Sequence, residues 1–330
     1  MKVALDCRPA SDVGGIGRYS RCLLRALRLT AASNDQVLDT NRPSAVVRAK
    51  GPDVFHSPWI DGAMLHSPCP MVVTIHDMAA QKRRSEHLRA GLRQRLRPLA
   101  LQRAASVIVP SAAVAEDAIA HLRLDRGRVV VIPEAADEAM YQRDEKQVAS
   151  VRERYGLPER YLLWVGGLEH PDPGTHIAQL AATPRTMPLV LVGATRPWAH
   201  ELPDVILTGQ VADDELAAIY SGAHALLMSA EQEGFGLPAV EALACGTPVV
   251  AADGAALREV LGERATFVPA GDMRALIDAG EHASRPAPAP LSWTWEDTAR
   301  ATWAVYAQAA KDADPSRTAS RQLRRRTAGA

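Results

Sequence analysis

Two carboxylates, Glu233 and Glu241, stand at the ends of the stretch EGFGLPAVE, with three turn-forming residues (Gly234, Gly236 and Pro238) between them. Pro238 suits the first turn of a helix, so residues 238–245 are expected to be helical, with Glu241 in the first turn. The neighbours Ala239, Val240, Ala242, Leu243 and Ala244 are small or apolar. An acid in so apolar a helix needs a hydrogen-bonding partner. A pair of ligand hydroxyls would serve, because a carboxylate accepts two donors. The competing reading is that Glu241 answers only the helix N-terminal dipole. Glu233, on a glycine-rich loop, could face the same ligand.

A second candidate is GGIGR at 14–18, directly after an apolar run and opening a helical pattern. Glycines there let backbone approach a phosphate beside free helix N–H groups. The pattern lacks the third glycine of the dinucleotide fingerprint, so a nicotinamide oxidoreductase is disfavoured and a plain tight turn stays open. His76 closes the run MVVTIH and is open to two readings, a ligand contact or a strand-end cap.

These residues must be held by a larger frame. The chain has 330 residues, enough for about two domains of ~150 residues. Hydrophobic residues make up 47% and charged residues 23%, with a formal net charge of zero, so no global field argues for nucleic acid. Four scattered cysteines, Cys7, Cys22, Cys69 and Cys245, form no C-x-x-C pair and suggest reduced thiols in a cytoplasmic protein rather than a zinc site. The start MKVALDCRPA does not read as a signal peptide, and no window approaches ~18 uninterrupted apolar residues.

Short apolar, β-branched runs alternate with helical patterns along the chain. Strands are expected at 2–6, 53–57, 71–76, 106–110 and 129–133, then at 161–166, 188–193, 205–209, 224–229, 247–253 and 265–269. Continuous apolarity suits parallel strands buried on both faces. The fold class is therefore α/β, with doubly wound parallel sheets. Helices are expected at 17–29, 88–104, 112–121, 213–222, 238–245, 255–261 and 272–283. The charged stretch 137–160 reads as the boundary, giving domains at 1–150 and 151–292. A helix over 293–313, with Trp295, Ala299, Trp303 and Tyr306 on one face, follows and could cross back to the N-terminal domain; a basic tail, 314–330, is expected to be disordered.

With that frame, EGFGLPAVE followed by ALACGTPVVAAD closely resembles the signature of the family 4 retaining glycosyltransferases, the glycosyl transferases group 1. GGIGRYSRCLLRAL, VVTIHD, SVIVPSAAVAEDA, VVVIPEAAD and LTGQVADDELAAIYSGAHALLMSAEQEGFGLP extend the resemblance over most of the chain. It implies the GT-B fold, two Rossmann-like domains facing across a cleft. It further implies that Glu241 holds the ribose hydroxyls of a nucleotide and that Glu233 lies by the transferred sugar. Backbone at Gly234, Phe235, Gly236 and Leu237 would approach the sugar and phosphate. Gly15 and Gly17 would approach the diphosphate, His76 the sugar, and Gly209 and Val211 the base.

One departure stands out. The family usually carries a basic pair after the strand matching YLLWVG, where this chain has Gly174 and Thr175. His170, His176 and Arg196 are the remaining candidates for the diphosphate, unless a divalent ion supplies the charge. The implied activity is transfer of a hexosyl group, mannosyl by family frequency, from an NDP-sugar donor to a saccharide or lipid-linked acceptor. No metal ligand set and no tightly bound cofactor are expected. A GT-B sugar-nucleotide 2-epimerase and a degenerate nucleotide-sugar-binding protein are the alternatives. Residues 82–103 carry eight Lys or Arg against one Glu, which would suit peripheral contact with an anionic inner-membrane surface or simply a solvated face.

Overall fold

The computed structural model describes residues 1–12, 14–78, 92–168, 171 and 173–313. The chain divides into two compact units. One comprises Met1–Asp12, Ile16–Pro133 and the helix beginning at Trp295; the other is built on Glu134–Thr294.

The first unit holds a six-stranded parallel sheet in the order β2-β1-β3-β4-β5-β6. Its strands are β1 (Lys2–Asp6), β2 (Gln36–Thr40), β3 (Val54–Ser57), β4 (Met71–Thr74), β5 (Ser106–Val109) and β6 (Val129–Val131). The inner strands β3, β4 and β5 are buried along their whole length, as expected of parallel strands covered on both faces. Helices α1 (Gly15–Thr30), α2 (Pro43–Lys50), α3 (Leu92–Gln102) and α4 (Ala112–Leu122) supply the cover. Phe55, Val73, Leu101, Val107 and Leu122 lie in one buried cluster. Ser111 caps α4 by accepting from the Val114 amide at 3.3 Å.

The second unit repeats the scheme with the order β12-β11-β10-β7-β8-β9. Its strands are β7 (Leu162–Val165), β8 (Leu189–Val192), β9 (Val205–Gly209), β10 (Ala225–Met228), β11 (Val249–Ala252) and β12 (Ala265–Val268). The helices are α5 (Glu145–Tyr155), α6 (Ile177–Ala182), α7 (Asp213–Gly222), α8 (Leu237–Ala244), α9 (Ala255–Leu261) and α10 (Met273–Glu281). Leu162, Leu191, Leu227, Leu276 and Ile277 are fully buried in its core.

The eleven strands expected from apolarity all form. The sheet has one more, β2, whose sequence QVLDT is polar and mostly half-exposed. An edge strand needs no second neighbour and no apolar face, so hydrophobicity does not reveal it. The helix α5 lies inside the stretch read as a strandless boundary. A capping box starts it, in which Asp144 accepts from the Gln147 amide while Gln147 accepts from the Asp144 amide. Gly156, at φ 64°, ends it.

Helix α11 (Trp295–Asp312) belongs to the first unit and packs on β3 and β4. Trp295, Thr298, Ala299, Thr302, Val305, Tyr306 and Ala309 form its buried face, at the spacing of one helical stripe. The Thr298 hydroxyl donates to the Pro133 carbonyl at 2.8 Å, and the Trp303 indole N–H to the Leu27 carbonyl at 3.3 Å. The tail 314–330 and residues 82–91 of the basic stretch lie outside the described residues.

Candidate active site

In the second sheet the strand order reverses between β7 and β10. The crevice outside the carboxyl ends of strands at such a reversal is where open α/β sheets bind ligands. Two described segments lie there, 173–176 before α6 and 229–236 after β10. They are tied together. The fully buried Ser229 hydroxyl donates to the Thr175 carbonyl at 2.5 Å. Glu231 Oε1 lies 3.2 Å from Nε2 of His176, which adopts a left-handed backbone at the start of α6.

The loop after β10 carries Glu233, which is half-buried. Gly234, Phe235, Gly236 and Leu237 follow and are all buried. Gly236 sits at φ 83° before α8, and a Cβ there would lie 2.5 Å from Leu257 Cδ2. The left-handed backbone favours glycine there, and a Cβ would also require the Leu257 side chain to move. The expectation that Glu241 lies in the first helical turn is corrected. The helix begins at Leu237, and no acid occupies its first turn. The dipole reading of Glu241 loses its basis with that, because the effect fades beyond the first turn. Glu241 is only 2% exposed, and the Tyr220 hydroxyl donates to its Oε2 at 3.2 Å. Its charge is felt nearby: burial, and then the Glu241 carboxylate, push the Cys245 thiol up to about 12.

The other expected contacts of this unit surround the same end of the sheet. Gly209 ends β9 at φ 71°, and among the described residues nothing lies within 4 Å of where a Cβ would stand. Val211 is half-buried two residues later. Arg196 follows β8 and is exposed, leading a short 3-10 helix. Gly174 and Thr175 form another such turn. His170 lies outside the described residues.

In the first unit the order reverses between β1 and β3. Gly15 opens α1 soon after β1, and among the described residues nothing lies within 4 Å of where a Cβ on it would stand. Gly17 differs. A Cβ on it would stand 1.9 Å from the Asp12 carbonyl oxygen and 2.8 Å from that of Pro9, so close packing of helix on loop already explains this glycine. His76 lies two residues beyond β4 and is half-buried. Its Nε2–H donates to the Pro58 carbonyl at 2.8 Å, and in the neutral ring this puts the lone pair on Nδ1. The Tyr19 ring meets it edge-on, with centroids 4.5 Å apart.

Sequence reasoning missed a cluster at this sheet end. Asp6 is fully buried and accepts from Arg8 Nε at 2.9 Å, Arg8 Nη2 at 2.6 Å and the Trp59 indole at 3.1 Å. The Asp6 hydrogen bond raises the Arg8 guanidinium above its ordinary value. The signal was the pair of opposite charges, Asp6 and Arg8, at a strand's carboxyl end.

Among the described residues, no group of three or more His, Cys, Asp or Glu is placed to hold a metal ion, and no helix is long and apolar enough to cross a membrane.

Comparison with known proteins gives this geometry a context. Residues 34–139 match the family model described as Glycosyltransferase Family 4, and residues 159–284 match Glycosyl transferases group 1. The chain is 27% identical over 191 residues to the serotype-specific mannosyltransferase WbdA of Escherichia coli, covering 51% of this chain and 23% of that protein. It is 29% identical over 223 residues to the MMP alpha-(1->4)-mannosyltransferase of Mycolicibacterium hassiacum, covering 62% and 54%. The chain thus spans about a quarter of the first relative and about half of the second. The crystal structure of Anabaena HepE in complex with UDP-glucose superposes with a TM-score of 0.69 at 17% identity, over 94% of this chain and 99% of that one, a likeness of fold. With two parallel-sheet α/β domains and both family models in sequence order, the chain belongs to the family 4 glycosyltransferases and has the GT-B fold.

Proposed function

We propose that this protein is a retaining glycosyltransferase that moves a hexosyl group, mannosyl in the first instance, from an NDP-sugar to a hydroxyl of a saccharide or lipid-linked acceptor. The observation that carries the reading is the acid pair Glu233 and Glu241 on one loop-and-helix unit, at the strand-order reversal of the second sheet. Glu241 anchors the nucleotide ribose. Glu233 orients the sugar, and the amides of residues 234–237 receive the sugar and phosphate oxygens. Gly209 and Val211 border the base, and the open side of Gly15 admits the diphosphate. His76 acts toward the transferred sugar, and the first unit selects the acceptor. Relatives whose names record mannosyl transfer support the choice of sugar.

Transfer breaks the bond between the anomeric carbon and the phosphate oxygen. The acceptor oxygen bonds to that carbon from the same face, and its proton passes to the departing phosphate. Glu233 and Glu241 are divided between sugar and ribose, so they do not form the carboxylate pair, ~5 Å apart across a scissile bond, of a double displacement. His176, held beside Glu231, and Arg196 take the place of the basic pair absent at Gly174 and Thr175. No tightly bound cofactor takes part. The reaction runs on the cytoplasmic side, with the basic residues of 82–103 touching an anionic membrane surface.

Incubation with GDP-mannose or UDP-glucose, with release of nucleotide diphosphate as the readout, tests the proposal. Release that Glu233→Ala reduces at least tenfold supports it. Nucleotide binding with no release from any donor favours the degenerate binding-protein reading, to which the missing basic pair gives its support.

A further inference from the structure

Four side chains buried in the first unit form one connected polar run. The Tyr306 hydroxyl lies 2.6 Å from His56 Nδ1, His56 Nε2 lies 2.9 Å from Thr74 Oγ1, and Thr74 Oγ1 lies 3.2 Å from the Tyr19 hydroxyl. None is more than 2% exposed. The run joins α11 to β3, β4 and α1. Its far end is the Tyr19 ring, set at 77° to the His76 imidazole and at 69° to the Trp295 ring, 5.6 Å away.

The protonation states are fixed by burial. The Tyr306 phenol is pushed well above its ordinary value and keeps its proton. Burial, then the neighbouring His76 charge, lower His56 to about 3, so its ring is neutral with one donor and one acceptor nitrogen. One ring nitrogen therefore donates and the other accepts: either Tyr306 donates to Nδ1 and Nε2–H to Thr74, or Thr74 donates to Nε2 and Nδ1–H to Tyr306. Breaking such a run at one point leaves a buried polar atom unpaired, which costs more than the hydrogen bond alone. Anchoring α11 would account for the contact of Tyr306 with His56. It does not account for the continuation through Thr74 to Tyr19, whose ring makes a T-shaped contact with His76.

We propose that Tyr19 is the positioning residue for His76, and that Tyr306 on α11 fixes Tyr19 through His56 and Thr74. The His76 ring then has two fixed points, the Pro58 carbonyl and the Tyr19 edge. The helix that ends the described chain thereby becomes part of the catalytic apparatus. The functional half of this inference rests on the role given to His76 above.

The test is made on the full chain, with imidazole nitrogens labelled and His76 assigned through His76→Gln. The nitrogen shifts report the tautomer. Wild type is expected to hold His76 in the Nε2–H form, and Tyr19→Leu and Tyr306→Phe to mix the two forms. Tyr19→Phe, which keeps the ring and loses the hydroxyl, serves if Tyr306→Phe does not fold. In donor turnover with GDP-mannose or UDP-glucose, Tyr306→Phe should lower kcat roughly ten- to a hundredfold with the donor KM unchanged. His76→Gln combined with Tyr306→Phe should be no slower than His76→Gln alone. A wild-type tautomer in folded Tyr19→Leu and Tyr306→Phe overturns the proposal, as does an additive double variant. If His76→Gln turns over at the wild-type rate, the catalytic reading of His76 fails, and the tautomer measurement alone decides the positioning.

Discussion

Tyr306 and His56 share a 2.6 Å hydrogen bond although 250 positions separate them in the chain. The other ring nitrogen of His56 lies 2.9 Å from Thr74 Oγ1 on β4, and the charge of His76 disfavours its protonation further. A histidine enclosed in this way cannot be charged without disrupting its surroundings.

The first prediction concerns acid stability. His56 ordinarily titrates near 6.5 and is held at about 3 in the folded protein. Above the unfolded value both states are neutral and His56 contributes no pH dependence. Below it the unfolded chain binds a proton that the folded chain refuses, so stability falls with falling pH, by about 1.4 kcal/mol per unit until the folded value is reached. Urea midpoints measured from pH 7 to pH 4 should fall more steeply in wild type than in His56→Asn. Equal slopes would contradict it.

The second sets two glycines against each other. Gly17→Ala forces a Cβ to within 1.9 Å of the Asp12 carbonyl, a backbone atom that cannot turn aside, and should cost about 2 kcal/mol or more. Gly15→Ala meets nothing within 4 Å among the described residues, and the stability should stay within about 1 kcal/mol of wild type. If the open side of Gly15 receives the diphosphate, that stable variant should nonetheless bind nucleoside diphosphate more weakly. Chemical denaturation and calorimetry check the two halves.

The third concerns the tie between the loops after β7 and β10. Ser229→Ala removes the donor to the Thr175 carbonyl and should cost about 1 kcal/mol of stability. Its larger effect should be on the donor KM, raised severalfold, because Thr175 lies where the basic pair is replaced. An unchanged KM would remove the loop tie from the account.

Much of this was legible in the sequence, for reasons that particular residues show. The inner strands announced themselves because parallel strands covered on both faces must be apolar throughout, as in LVLV at β8. The edge strand QVLDT escaped because one of its sides faces no partner. Glu241 stood out because an acid is rare among the small apolar residues of α8, and Glu233 because it stands on the glycine-rich stretch just before that helix. The depth of Glu241 within that helix did not, because a single residue's shift at the helix start moves it out of the first turn. The run from Tyr306 to Tyr19 could not be read at all. Each member sits in an apolar pattern, and only folding brings α11 against β3.

The measurement that bears most directly on the central claim is calorimetric binding of UDP, GDP, ADP and dTDP, with and without magnesium, to wild type and to Glu241→Ala. The account predicts selective binding of one nucleotide to wild type and at least a tenfold loss in the variant, since a ribose held by a buried carboxylate loses a charge-assisted pair. A folded Glu241→Ala that binds the same nucleotide as tightly as wild type would contradict it.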